Sequence, residues 1–266
     1  MTNLNELMQH LESNFKSKGK DFTYEFNENI QILRNVKNDV STTVGRIFEY
    51  DTKPDVVLGI TPFRDDTEDK VFATALTAHV HSNLKPENFR NVEPQYAVCV
   101  NPLAITSYIE ERGFSSKKEQ FIKGLLAEEL SHLTIDEKYN FEKIQLEIHT
   151  SKTFKGKPIP VLDVLDYIYI LQGKSEAAAM YVANQVAGMR IYTPKQILKE
   201  ISKVEERPEN YFIIGGRLGG YFSKTFAANI LEEIKDEQAF RRFLSTIGEV
   251  TKKDIELMEN PPQAPE

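Results

Sequence analysis

Apolar residues recur at three- and four-residue intervals along most of this chain, and the interval breaks in one region, between about residues 50 and 102. In "NENIQILRNVKNDVSTTVGRIFEY" the stripe is Ile30, Ile32, Leu33, Val36, Val40, Val44 and Ile47, which predicts a long amphipathic helix. A shorter stripe, Leu4, Leu7, Met8, Leu11 and Phe15, predicts another over residues 4–17. Inside the break, "DVVLGITP" and "PQYAVCVNP" are short apolar runs bounded by prolines, the signature of buried strands. "DKVFATALTAHVHSNL" fits a strand or a helix.

Helical spacing then resumes. In "GFSSKKEQFIKGLLAEELSHLT", Ser115 or Ser116 can cap a helix with Glu119 near the third helical position, and the helix is expected to run to about Leu133. Residues 137–160 are polar and end in "KGKPIP", which reads as a loop. Two helices are expected in "VLDVLDYIYILQG" and "KSEAAAMYVANQVAGM", and a third in "TPKQILKEISKVEE", where Thr193 and Pro194 suit the N-cap and first helical positions. "NYFIIGGRLGGYFSKTFAANILEEI" and "DEQAFRRFLSTIG" add two more. Helices at both ends and strands confined to one stretch give the class α+β, mostly helical with a small sheet. The expected organisation is a helical region over 1–50, an α+β domain over 51–250 and a disordered tail over 251–266, which closes on "ENPPQAPE".

With 266 residues, 40% of them hydrophobic, the chain can bury a substantial core. Its apolar runs fall far short of the roughly 20 residues that cross a bilayer. The first residues lack the apolar stretch of a signal peptide, so a cytoplasmic protein with no membrane partner is expected. A formal charge of -7 gives no support to nucleic-acid binding. Cys99 is the single cysteine, which excludes an intrachain disulfide and a cysteine-based zinc site, and its apolar surroundings suit an inert buried thiol.

Several candidate motifs fail on their own chemistry. "IIGGRLGGYF" lacks the Gly-Lys-Ser/Thr ending of a phosphate loop, and close helix packing accounts better for its glycines around Arg217. No Gly-x-Ser-x-Gly elbow supplies a serine nucleophile. Asp65, Asp66, Glu68 and Asp69 lack the spacing of a calcium loop and read as a solvated turn. His79 and His81 would share a face on a strand, but with no third ligand nearby they read as ordinary hydrogen-bonded histidines. His10 and His149 stand alone among charged residues.

The stretch that points to chemistry is "EELSH". On a helix Glu128 and His132 lie one turn apart on one face, and Glu129 stands at i, i+3 from His132. A Glu-x-x-His pair also occurs in di-iron helical bundles, but no second copy follows on a suitable helix. The other use of this spacing is H-E-x-x-H, where two imidazoles hold zinc and the glutamate between them is a general base. "EELSH" matches at four positions of five, with Glu128 where the first histidine belongs. A solvated surface helix burying Phe121, Leu125, Leu126, Leu130 and Leu133 is the alternative.

The order of elements over residues 54–244, two strands, the motif helix, a long polar excursion and a helix that opens with an acid after a glycine, resembles the zincin-like metallopeptidase fold of gluzincin type. The resemblance implies Glu129 as general base, His132 as second ligand, Glu128 in the place of the first, and Glu176 as third ligand, with Gln172 in "LQGKSEAAAM" as a rival alignment for that third place. Zinc accepts a Glu/His/Glu set, and the harder carboxylates also admit manganese. The resemblance therefore implies a metallopeptidase homologue, catalytically inactive or altered, that binds a peptide or protein partner with or without a metal. An active metal-dependent hydrolase and a non-enzymatic helical interaction protein are the alternatives.

Overall fold

The computed structural model describes residues 23–50, 57–60, 73–77, 96–100, 109, 113–160, 163–205 and 215–259. The expected helix over 4–17 lies outside them. By the clustering of its backbone the chain divides into two compact units, Met1–Leu133 with Val186–Met189, and Thr134–Gln185 with Arg190–Glu266.

The first unit opens with α1, Thr23–Phe48. Its buried residues, Leu33, Val36, Val40, Val44 and Phe48, follow the three-and-four spacing of the sequence, and each stabilises by about 1.5–3 kcal/mol relative to exposure. The broken-period region forms a three-stranded sheet of β1 (Val57–Ile60), β2 (Ala73–Thr77) and β3 (Tyr96–Val100), in the order β1-β3-β2. The central strand β3 pairs in parallel with β1, Leu58 opposite Val98, and antiparallel with β2, Ala75 opposite Val98. Val98 is fully buried, as the middle of a short proline-bracketed run should be. The ambiguous segment therefore contributes a strand at Ala73–Thr77.

A single 3-10 turn, Ser115–Lys117, leads into α2, Lys118–Tyr139. Neither serine caps by its side chain; the N-cap position of the turn is Phe114, whose ring stacks on Phe121 at 5.7 Å. The helix also continues past Leu133, because Thr134 and Ile135 are buried and keep its packed face going. It stops at Asn140, which takes the left-handed conformation (φ 55) that asparagine tolerates better than most residues.

In the second unit, residues expected to form a loop are instead α3, Phe141–Ser151, and a hairpin of β4 (Thr153–Phe154) and β5 (Lys157–Pro158). The apolar period of α3 is sparse, Phe141 and Ile148 being its buried residues, which is why polarity masked it. Lys155 (φ 50) and Gly156 (φ 74) both take positive φ, as a two-residue hairpin turn requires. The Glu147 carboxylate fixes this turn by accepting from the Gly156 N–H at 2.9 Å and the Thr153 hydroxyl at 2.8 Å. Those donors, the backbone one first, hold its carboxyl below the ordinary 4.5.

A depressed carboxylate stabilises above the unfolded pKa and loses that contribution as pH falls through the folded one. The Gly156 amide resonance should accordingly titrate below pH 4.5 and become pH-independent in Glu147→Gln. An inflection at or above the ordinary carboxylate value would remove the carboxylate from the turn.

The two helices expected on either side of Gly173 are one, α4, Val164–Ala187. After it, Asn184 closes the connection by accepting from the N–H groups of Ile191 and Tyr192 and donating to the Tyr192 carbonyl. α5, Pro194–Glu205, begins as expected, with the Thr193 hydroxyl accepting from the Gln196 N–H. α6, Gly215–Glu233, and α7, Glu237–Leu244, follow, and the Asp236 carboxylate caps α7 through the Ala239 N–H at 2.7 Å.

Residues placed in a disordered tail form α8, Lys252–Glu259. Thr251 and Asp254 build a reciprocal capping box: the Asp254 N–H donates to the Thr251 hydroxyl, and the Thr251 N–H donates to the Asp254 carboxylate. Compositional bias in "ENPPQAPE" obscured this short amphipathic turn; residues 260–266 lie outside the described set. Among the described residues no helix is long and apolar enough to cross a membrane.

Candidate metal centre

Helix α2 is buried on nearly every side from Phe121 to Ile135, with Lys123 and His132 partly exposed. Within this stretch Glu128 is 9% exposed and Glu129 8%. Adjacent buried carboxylates are costly unless a cation or hydrogen-bond donors meet them. Both glutamates and His132 take part in polar contacts in the folded chain. The Ser131 hydroxyl turns back to the Ala127 carbonyl at 2.6 Å and is consumed by its own helix.

Glu176 lies on α4, one turn after Gln172. One ligand atom each from Glu128, His132 and Glu176 lies within 4.8 Å of the others. Ligand atoms around tetrahedral zinc, with bonds of about 2.1 Å, are ~3.4 Å apart, so side-chain torsions need close the set by at most about 1.4 Å per pair. The donor set, one imidazole and two carboxylates, fits zinc or manganese. The three residues named from the sequence thus lie close together, with Glu176 contributing the second carboxylate of the cluster. Glu129, the expected base, occupies the same turn of α2 but is outside this cluster.

The other candidates are placed elsewhere. Cys99 falls in β3, Arg217 in α6, and His149 on an exposed part of α3. His10, His79, His81 and the acidic run from Asp65 to Asp69 lie outside the described residues.

Two features of α4 just before Glu176 were not foreseen. A Cβ added at Gly173 would stand 2.7 Å from the Ser223 carbonyl oxygen and 2.8 Å from Phe226 Cδ1, so the absent side chain lets α6 close onto α4 one turn before Glu176. Next to it, Lys174 is 2% exposed and donates to the Asp254 carboxylate at 2.7 Å, the Glu249 carbonyl at 2.8 Å and the Thr246 carbonyl at 3.3 Å. A lysine inside the apolar run "LQGKSEAAAM" was the available signal.

The contact at Gly173 makes a sign prediction. Alanine is the better helix former by about 1 kcal/mol, but a backbone oxygen at 2.7 Å cannot yield as a flexible side chain would. Overpacking of this kind costs about 1–3 kcal/mol, so Gly173→Ala should be destabilised by about 1–2 kcal/mol net in urea unfolding. A variant as stable as the parent would mean that α4 and α6 do not approach here.

Comparison of the chain with family profiles, with curated proteins and with solved structures finds no match.

Proposed function

We propose that this chain is a zincin-like protein, an altered metallopeptidase homologue that holds a divalent cation through Glu128, His132 and Glu176 and acts on a peptide or protein partner chiefly by binding it. The observation that carries the reading is the approach of the Glu176 carboxylate to Glu128 and His132 within 4.8 Å.

When bound, a divalent cation supplies Lewis acidity to a carbonyl and makes a neighbouring water more acidic. Two carboxylates in place of one neutralise more of the ion's charge, so this donor set weakens that acidity relative to two imidazoles and one carboxylate. Binding is therefore favoured over rapid turnover. A second reading, metal-dependent hydrolysis with Glu129 as base, is supported by the place of Glu129 between Glu128 and His132 along α2, where it is 8% exposed.

Elemental mass spectrometry on protein purified without an affinity tag tests the first reading. Near-stoichiometric zinc or manganese is expected in the parent and background levels in His132→Ala. Glu129→Gln should keep the metal, and loss of a parental peptidase activity in that variant would favour the second reading. A parent that takes up neither ion on dialysis would sink both.

A further inference from the structure

In the second unit, residues of α4, α6, α7 and α8 line an open pocket of about 340 Å³, within the range of small-molecule sites. Ile230, Ile234, Phe243 and Leu257 supply the apolar half of its lining. Three cationic side chains also line it, and two are neutralised in place. Lys174 is held by Asp254 and two carbonyls, and Lys253 lies against both oxygens of Glu233 at 2.8 and 2.9 Å. Arg242 is the third, and among the described residues it has no ion-pair partner. With both acids of the pocket committed to lysines, the charge left over is one guanidinium beside an apolar space.

We propose that this pocket binds a small organic monoanion with an apolar body, of the medium-chain carboxylate class. The chain of the ligand lies against Ile230, Ile234, Phe243 and Leu257, and its carboxylate pairs with Arg242 in the two-pronged geometry that a guanidinium offers. The wall formed by Lys174 and Asp254 takes no part in recognition, because all three ammonium hydrogens already have acceptors.

Isothermal titration of the full chain with decanoate, decan-1-ol and acetate tests the assignment, with isoleucine methyl resonances reporting the location. Decanoate is expected to bind and to shift the Ile230 and Ile234 methyls, decan-1-ol to bind more weakly, and acetate not to compete. Arg242 is exposed, so solvent screens its charge and Arg242→Gln should weaken decanoate by roughly fivefold to tenfold while leaving decan-1-ol unchanged. Leu257→Trp, which narrows the space, should weaken both. Equal binding of acid and alcohol, an unchanged affinity in Arg242→Gln, or no shift at the two isoleucines would each overturn the proposal.

Discussion

On the proposed function, His132→Ala should abolish the response of this protein to chelator. In the parent, a cation at about a hundred times its Kd should stabilise the fold by about 2.7 kcal/mol, and that increment should disappear when a chelator is added. In the variant the two melting curves coincide, because the cluster loses its single nitrogen donor and two carboxylates alone hold a borderline-soft ion such as zinc poorly. Removing even an outer-sphere partner of a metal ligand lowers affinity about 10–100-fold, so loss of a direct ligand should exceed 100-fold. Glu176→Gln keeps an oxygen donor but removes a charge, and should fall between parent and His132→Ala. Manganese should suffer less than zinc from the loss of the imidazole, since carboxylate oxygens suit it better. Coincident curves in the parent itself, in either ion, would show that the three side chains meet without binding.

Lys174→Met should be among the most destabilising single substitutions in the second unit, by about 3 kcal/mol or more. The lysine side chain is 3% exposed and its partner Asp254 12%. Removal of the ammonium leaves a mostly buried carboxylate with only the Thr251 N–H and hydroxyl as donors, and takes a donor from the Glu249 carbonyl, while the Thr246 carbonyl keeps the Glu249 N–H. Replacing both partners, Lys174→Met with Asp254→Leu, should be milder than Lys174→Met alone, because no uncompensated charge is then left inside. Urea unfolding measures both, and hydrogen exchange should locate the new opening at α8. A double variant worse than the single would mean that the pair stabilises through packing and not through its charges.

Much of the fold could be read from periodicity, and the failures share a cause. The stripe from Leu33 to Val44 declared a helix because one face of it is buried, and the "YAVCV" run declared a strand because it is short, apolar and bounded by prolines. Gly173 misled because a glycine is punctuation in a sequence but a contact surface in a packed helix, and which role applies depends on Ser223 and Phe226, fifty residues away. The serines before α2 misled because the cap motif is local whereas the Phe114 to Phe121 stack that sets the entry of the helix is aromatic. α3 and α8 were too short, at 11 and 8 residues, for their spacing to outweigh polar composition.

At the candidate centre the sequence carried the ligand types on α2 with certainty of spacing, since positions 128, 129 and 132 are fixed by the helix itself. It carried Glu176 only through the resemblance to zincin-like chains, and Gln172 competed with it. No periodicity places a residue of one helix opposite a residue of another. The Lys174 clasp was out of reach for the same reason, although "TKKD" does spell its capping box.

The clasp also orders events in time. Asp254 follows Lys174 by 80 residues, so a growing chain that has already made α4 holds an ammonium group whose acceptors have not yet been synthesised. Until they arrive that ammonium has only water to meet it, so the contacts that tie α4 to residues 246–254 form only once those residues exist.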